Sequence, residues 1–348
     1  MKKNHRSSFL VLTILALASV FSSCRHDRKV NTSFYYWKTV YQNNPAESAW
    51  LKHFQTHKLY MRIMDVDNTI DEPRPVPVSP ILFQSPVADS IQLVPVVFII
   101  NNALKNITSP QLDELAQRIV GFVNAKATQA GKLLYPELQI DCDWTASTRD
   151  NYFYLLKQIR NQKTLKAKTL SATLRLHQLK NQKGSGIPPV NRVMLMCYNM
   201  GNLRQYGDQN SILDINELKK YANENMSVYP MPIDIGLPLF SWAVAFRDKT
   251  YIGITKRINK DTLANKKQFI FKGNNIYQTL TELPQYGLNR ADEIRWETVT
   301  ANDLQAVAQY LSPLIKTDTV NIIYFHLDAA ILKAYPYETL EKTNHLFR

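Results

Sequence analysis

The sequence predicts an α/β fold, a single (β/α)8 barrel of TIM type with a small β-rich insertion after its seventh strand. Three observations lead there. From Ser33 onward, apolar strand-like runs alternate with helix-like segments, the pattern of parallel β/α units. Several of the runs, residues 93–100 above all, are almost continuously apolar, as strands covered on both faces are. The length also fits: setting aside residues 1–23 leaves about 325 residues, the size of one large barrel with an insertion. A doubly wound open sheet is the weaker alternative, because no Gly-rich phosphate turn follows the first strand.

The elements follow in order. The first strand is read at residues 33–39, with Tyr35, Tyr36 and Trp37 at its end, and a helix at 46–56 follows. The second strand, 58–66, runs into Asp65-Val66-Asp67-Asn68 and then a Pro-rich loop at 72–86. The third strand, 93–100, leads to Asn101-Asn102, and Ser109-Pro110 opens a helix with proline in its first turn. The fourth strand, 138–144, precedes a helix whose apolar face is Tyr152, Leu155, Leu156 and Ile159. The fifth is read long, 169–179, with Thr173, Arg175 and His177 on one face. A loop at 180–189 leads to the sixth strand at 192–198, which ends in Tyr198-Asn199, and a helix lies near 214–225. The seventh strand spans 233–240, closing on Ser241-Trp242. Strands at 251–256 and 268–272 form the insertion. A helix at 301–315, the eighth strand at 320–327 and a last helix at 328–344 complete the chain.

The N-terminus reads as an export signal. Lys2, Lys3, His5 and Arg6 precede an apolar run at 9–21, which is too short for a mature span, and Ser22-Ser23 stand before Cys24. That order resembles the lipobox of bacterial lipoproteins, which would make Cys24 the lipidated first residue. Residues 24–32 are then a polar tether and 33–348 the barrel domain, placed in the cell envelope and expected at the outer membrane. The formal net charge of +13 comes from scattered lysines and arginines with no aromatic-interleaved basic block. With export, this argues against nucleic acid as a partner. Cys142 and Cys197 are read as buried filler. No zinc-type spacing occurs, and no metal or cofactor is implied.

The chemistry converges on Glu137-Leu138-Gln139-Ile140-Asp141-Cys142-Asp143-Trp144-Thr145. Strand alternation turns Asp141 and Asp143 to the same face, where two like charges repel and one pKa should rise. Active sites of such barrels lie at the C-terminal ends of the strands. The residues read there are Trp37, Asp65, Asp67, Asn101, Asp141, Asp143, Arg175, His177, Tyr198, Asn199, Trp242, Tyr324 and His326. Carboxylates, amides and flat rings are the mixture that sugars need: rings for their apolar faces and polar groups for hydroxyls. An arginine in an apolar strand needs a carboxylate, and Asp143 on the neighbouring strand is the natural partner of Arg175.

Ile140-Asp141-Cys142-Asp143-Trp144 resembles the fourth-strand motif of family 18 glycoside hydrolases, the chitinase-type barrels, whose pattern is D-x-x-D-x-D-x-E. Met196-Cys197-Tyr198-Asn199 resembles their sixth-strand M-x-Y-D, and the residues from Gly236 to Ser241 resemble their seventh-strand G-x-P-x-Y-G. The extra strands sit where that family carries an α+β insertion. The chain also resembles a group of exported bacterial lipoprotein barrels, with Tyr36-Trp37-Lys38-Thr39 as a further likeness. The departures matter as much. The family's catalytic acid falls at Thr145, which cannot protonate a leaving oxygen near neutral pH. Its first acid falls at Leu138 and its sixth-strand Asp at Asn199. The resemblance implies that Asp143 orients a substrate N-acetyl group, and standard chitinase activity is not expected.

Three readings stay open. The protein could be a hydrolase with a relocated acid, Asp141 or Asp143 paired with Asp65, Asp67 or Asp328, with Arg175 or His177 tuning pKa. It could be a barrel that binds glycan without cleaving it, on Trp37, Tyr198 and Trp242. The third is a structural or assembly lipoprotein of the envelope.

Overall fold

The computed structural model describes residues 28–69, 74–255 and 257–348; the signal segment, Cys24 and residues 25–27 of the tether lie outside the described residues. Eight parallel strands form the ring: β1 (Lys29–Tyr36), β2 (Lys58–Asp67), β3 (Gln92–Ile99), β4 (Glu137–Cys142), β5 (Thr169–Leu174), β6 (Arg192–Met196), β7 (Ile233–Pro238) and β8 (Thr319–Phe325). Each pairs with the next, and β1 pairs with both β8 and β2, so the ring closes within the described residues. The barrel therefore contains every strand it needs to fold. The first strand starts at Lys29 rather than Ser33: Lys29–Thr32, read as tether, pair with Thr319–Ile322 and belong to the barrel.

The helices that cover the ring include α1 (Pro45–His53), α2 (Ser109–Gln129), α3 (Arg149–Asn161), α4 (Leu176–Lys180), α5 (Ile215–Tyr221), α6 (Ala301–Leu311) and α7 (Tyr337–His345). Their ends follow local chemistry. Asn44 caps α1 with its side-chain oxygen on the Ala46 and Glu47 amides, Asp214 caps α5, and Thr300 with Asp303 makes a capping box on α6. The strand read at 169–179 is shorter than expected. β5 stops at Leu174, and Gln178 turns back to accept from the Arg175 amide and starts α4. His177 is therefore helical and does not share a strand face with Arg175.

The insertion after β7 is larger than the two strands read from sequence. It is a five-stranded antiparallel sheet of Trp242–Arg247, Thr250–Thr255, Phe269–Gly273, Ile276–Thr279 and Glu293–Glu297, with a small core of its own around Phe269, Leu283 and Ile294. A fully buried ion pair fastens it to the barrel. Arg295 Nε donates to Glu297 Oε1 at 2.6 Å, and its other nitrogens donate to the Leu203, Gln205 and Gly207 carbonyls. Glu297 Oε2 accepts from the Ser211 amide and hydroxyl. Residues 199–214, the loop after β6, are thus held from the insertion side. No helix among the described residues is long and apolar enough to cross a membrane.

Candidate functional site

Inside the barrel, β4 builds a polar column. Its alternate residues Glu137, Gln139 and Asp141 all face the axis and are all buried. Glu137 accepts from Lys58 Nζ at 2.9 Å and Ser171 Oγ at 2.7 Å, and Gln139 accepts from the Tyr35 hydroxyl. Asp141, one step higher, accepts from Thr173 Oγ1 at 2.6 Å. Burial pushes the Asp141 carboxyl up to about 7; the Thr173 hydrogen bond opposes that, and the neighbouring Asp143 charge adds to it. The like-charge expectation for this pair is met at Asp141, with burial as the larger cause.

Asp143 stands at the mouth, with 41% of its side chain exposed, and both its oxygens are taken. Arg175 Nε donates to Oδ1 and Nη2 to Oδ2, each at 2.5 Å, in the bidentate form that a guanidinium fork favours. Asp65, the other carboxylate near Asp141, is held the same way by Arg62, with Nε to Oδ1 at 2.6 Å. Asp67 accepts from the Asn68 amide beyond the strand end, and Asn101 accepts from the Thr148 hydroxyl.

A cavity of about 390 Å³ opens beside the Asp143–Arg175 pair, lined also by Thr145, His177, Tyr198, Asn199, Met200 and Tyr221. Among the described residues, Asp143 is the only carboxylate in that lining. His177 reaches it from the first turn of α4, with its pKa lowered by burial and by the Arg175 charge. Asn199 adopts a left-handed backbone with φ +54°, which asparagine tolerates, and its amide donates to the Ile212 carbonyl. A second cavity of the same size continues past Met200 and Tyr221, lined by Asn202, Gln205, Gln209 and Asn210 and by the carboxylates Asp214 and Glu217.

Over the barrel axis lies an aromatic floor. Trp37 meets Phe325 at 5.4 Å between ring centres and Phe98 at 6.4 Å, and Phe325 meets Tyr198 at 5.6 Å and Phe240 at 5.7 Å. Trp37, Phe98, Phe240 and Phe325 all keep some exposure. Gly236 makes room for this: a Cβ there would come within 2.4 Å of Met194 Sδ and 3.3 Å of the Tyr198 ring. Phe98, Phe240 and Phe325 were not singled out from sequence. A strand apolar on both faces offers no alternation to show which residues turn inward.

That same loss of parity misplaced Tyr324. It is fully buried on the outer side of β8, and its hydroxyl donates to Asn344 Oδ1 on α7, so it is not a site residue. His326 is part-buried, with an orphaned Nδ1. Trp242 touches the floor through Phe240 at 5.2 Å, but its indole N–H donates to Glu297 Oε2, which makes it a wall between barrel and insertion. Trp144 stacks on Tyr152 in the helical layer. Cys142 and Cys197 are buried and unpaired. No group of three or more His, Cys, Asp or Glu among the described residues is placed to hold a metal.

A larger cavity, about 760 Å³, opens at the opposite end, lined by the first residues of β1, β2, β3, β6 and β8. Its two buried carboxylate neighbours are already satisfied, Glu137 by Lys58 and Asp234 by Arg192. Size alone favours that end. The aromatic floor and the perturbed carboxylate favour the other, where barrel chemistry normally sits.

The fold is similar to that of the spore cortex-lytic enzyme SleL of Bacillus cereus, at 14% identity and TM-score 0.54 over 92% of this chain and 74% of that one. It is also similar to SleL of Bacillus megaterium QM B1551, at 13% identity and TM-score 0.53 over 91% and 74%. A third likeness is to the second catalytic domain of the Group II chitinase of Ostrinia furnacalis, a mutant solved with a penta-N-acetyl chito-oligosaccharide, at 10% identity and TM-score 0.53 over 92% and 96%. The expected likeness to chitinase-type barrels is thereby borne out in fold. No family model matches the chain, and no curated protein matches it.

Proposed function

We propose that the barrel binds a glycan at the C-terminal ends of β4, β5 and β6 and does not cleave it by the chitinase-type route. One observation carries this: Asp143, the only carboxylate among the described residues that line the cavity, has both oxygens on Arg175, and the position of the family's acid is Thr145. A carboxylate with both oxygens on a guanidinium fork is held as a hydrogen-bond acceptor for hydroxyl or amide groups. The aromatic floor supplies the apolar face that sugar rings stack on. The structural neighbours are named as a cortex-lytic enzyme and a chitinase, which supports a glycan as the ligand class. Lipidation at Cys24 and residence in the envelope, at the outer membrane, form part of the same proposal and rest on the order of residues 1–24.

A second reading keeps hydrolysis. Asp141, raised to about 7, is poised to exchange a proton near neutral pH, and would be the relocated acid. The test separates the two. The barrel from Arg25 is screened by thermal shift against peptidoglycan, chitin, N-glycan and polysaccharide fragments, beside Asp143→Ala. The ligand that stabilises wild type is then followed by mass spectrometry. Intact ligand, with no shift in the variant, is the expected result; fragments from wild type that disappear in Asp141→Asn establish the hydrolase. No shift with any glycan rejects both.

A further inference from the structure

The geometry points to a membrane-docking surface on the N-terminal face of the barrel, opposite the glycan cleft, that takes an anionic lipid bilayer. Leu133 and Leu134, side by side in the turn between α2 and β4, are 84% and 81% exposed. Scattered exposed leucines are ordinary. An adjacent pair at a loop tip, next to a turn that carries lysines, has the composition of an interfacial membrane contact. The lysines come from the next turn, between α3 and β5: Lys163 and Lys166 are exposed, and Lys168 Nζ lies 3.3 Å from the centre of the Tyr135 ring.

The two turns form one surface. Tyr135 Oη donates to Asn124 Oδ1, Asn124 Nδ2 donates to Thr164 Oγ1, and the Thr169 amide donates to the Pro136 carbonyl. Further round the same face, Val228 before β7 is 66% exposed, and Lys29 and Lys316 add positive charge.

The chain end lies on this face too. Arg28 is fixed there, donating to the Thr317, Ile315 and Phe347 carbonyls. Three residues, four Cα–Cα steps, separate it from Cys24, a reach of at most about 14 Å. The orientation therefore rests on the lipid-anchor reading: an anchor at Cys24 brings this face, and not the glycan cleft, against the bilayer. The leucines then enter the headgroup boundary, and the lysines meet anionic headgroups. The cleft points away from the membrane.

The test uses the barrel from Arg25 without lipid, so that docking is read apart from anchoring. It is sedimented with phosphatidylcholine vesicles, with and without phosphatidylglycerol at roughly one lipid in three. The expected result is binding to the anionic vesicles that weakens with salt, and falls roughly tenfold or more in Leu133→Ser/Leu134→Ser and in Lys163→Glu/Lys166→Glu. Both variants should melt like wild type and keep its glycan-induced thermal shift, which shows the cleft intact. Absence of wild-type binding to anionic vesicles, or equal binding by the variants, overturns the proposal. So does self-association that the Leu133→Ser/Leu134→Ser change abolishes without any vesicle binding, which would mean that a second copy covers the patch. Loss of membrane anchoring in full-length Cys24→Ser reports separately on the lipid reading.

Discussion

Asp141 carries the clearest residue-scale consequence. Its folded carboxyl binds a proton more tightly than the unfolded one, so the folded state gains relative stability at low pH and loses it as pH rises from the ordinary carboxylate range to about 7. At about 1.4 kcal/mol per unit, the loss over that window is roughly 4 kcal/mol. Asp141→Asn keeps an acceptor for Thr173 and removes the titration. The melting temperature of the variant relative to wild type should therefore rise between about pH 4 and about pH 8; parallel melting curves across that range contradict the burial account. Asp234, pushed up to about 6 chiefly by burial, remains in both proteins and cancels from the comparison. Arg175→Ala frees the oxygens of Asp143, and binding should weaken as it does in Asp143→Ala, read by calorimetry; unchanged affinity would make the pair purely structural. The pairing of Arg175 with Asp143 was legible in the sequence, because a charge in an apolar strand demands a partner one strand away. Tyr324 was not. In a strand buried on both faces, the choice between Tyr324 and Phe325 is a matter of parity that only the β8 register decides.

At the scale of elements, the seventh strand and the insertion hold the site together. Gly236→Ala places a methyl against Met194 and Tyr198, and should cost about 1–3 kcal/mol of stability in urea titration. A silent substitution would mean that the β6–β7 contact is slack. Glu297→Ala leaves the guanidinium of Arg295 buried without its carboxylate, and should cost about 3–5 kcal/mol. The same change releases Ser211 and the Trp242 indole, so the loop after β6 should show faster amide exchange. Loss of stability without faster exchange in residues 199–214 would separate the ion pair from the loop. The insertion strands at Trp242–Arg247, Ile276–Thr279 and Glu293–Glu297 escaped the sequence reading. They are short and pair in an order unlike their order in the chain. The early stop of β5 was hidden for a different reason: its cause is the Gln178 side chain folding back on Arg175, a contact with no apolar signature.

For the whole molecule, the eight-unit count and the long apolar runs were enough to read a closed barrel, since each run had to be covered on both faces. The two opposed ends were less legible. Strand ends are marked along the chain, whereas the N-terminal face gathers Leu133, Leu134, Lys163 and Lys166 from separate turns that meet only once β4 and β5 pair. The molecule that results presents aromatic and amide groups at one end, and apolar and basic groups at the other. The central claim concerns the first end. Its most direct test is a crystal structure of the barrel soaked with the glycan that gives the largest thermal shift. An intact sugar beside Asp143, Arg175 and Tyr198, with a ring over the Trp37–Phe325 floor, is the predicted result. A sugar seated in the 760 Å³ cavity at the opposite end would contradict the account.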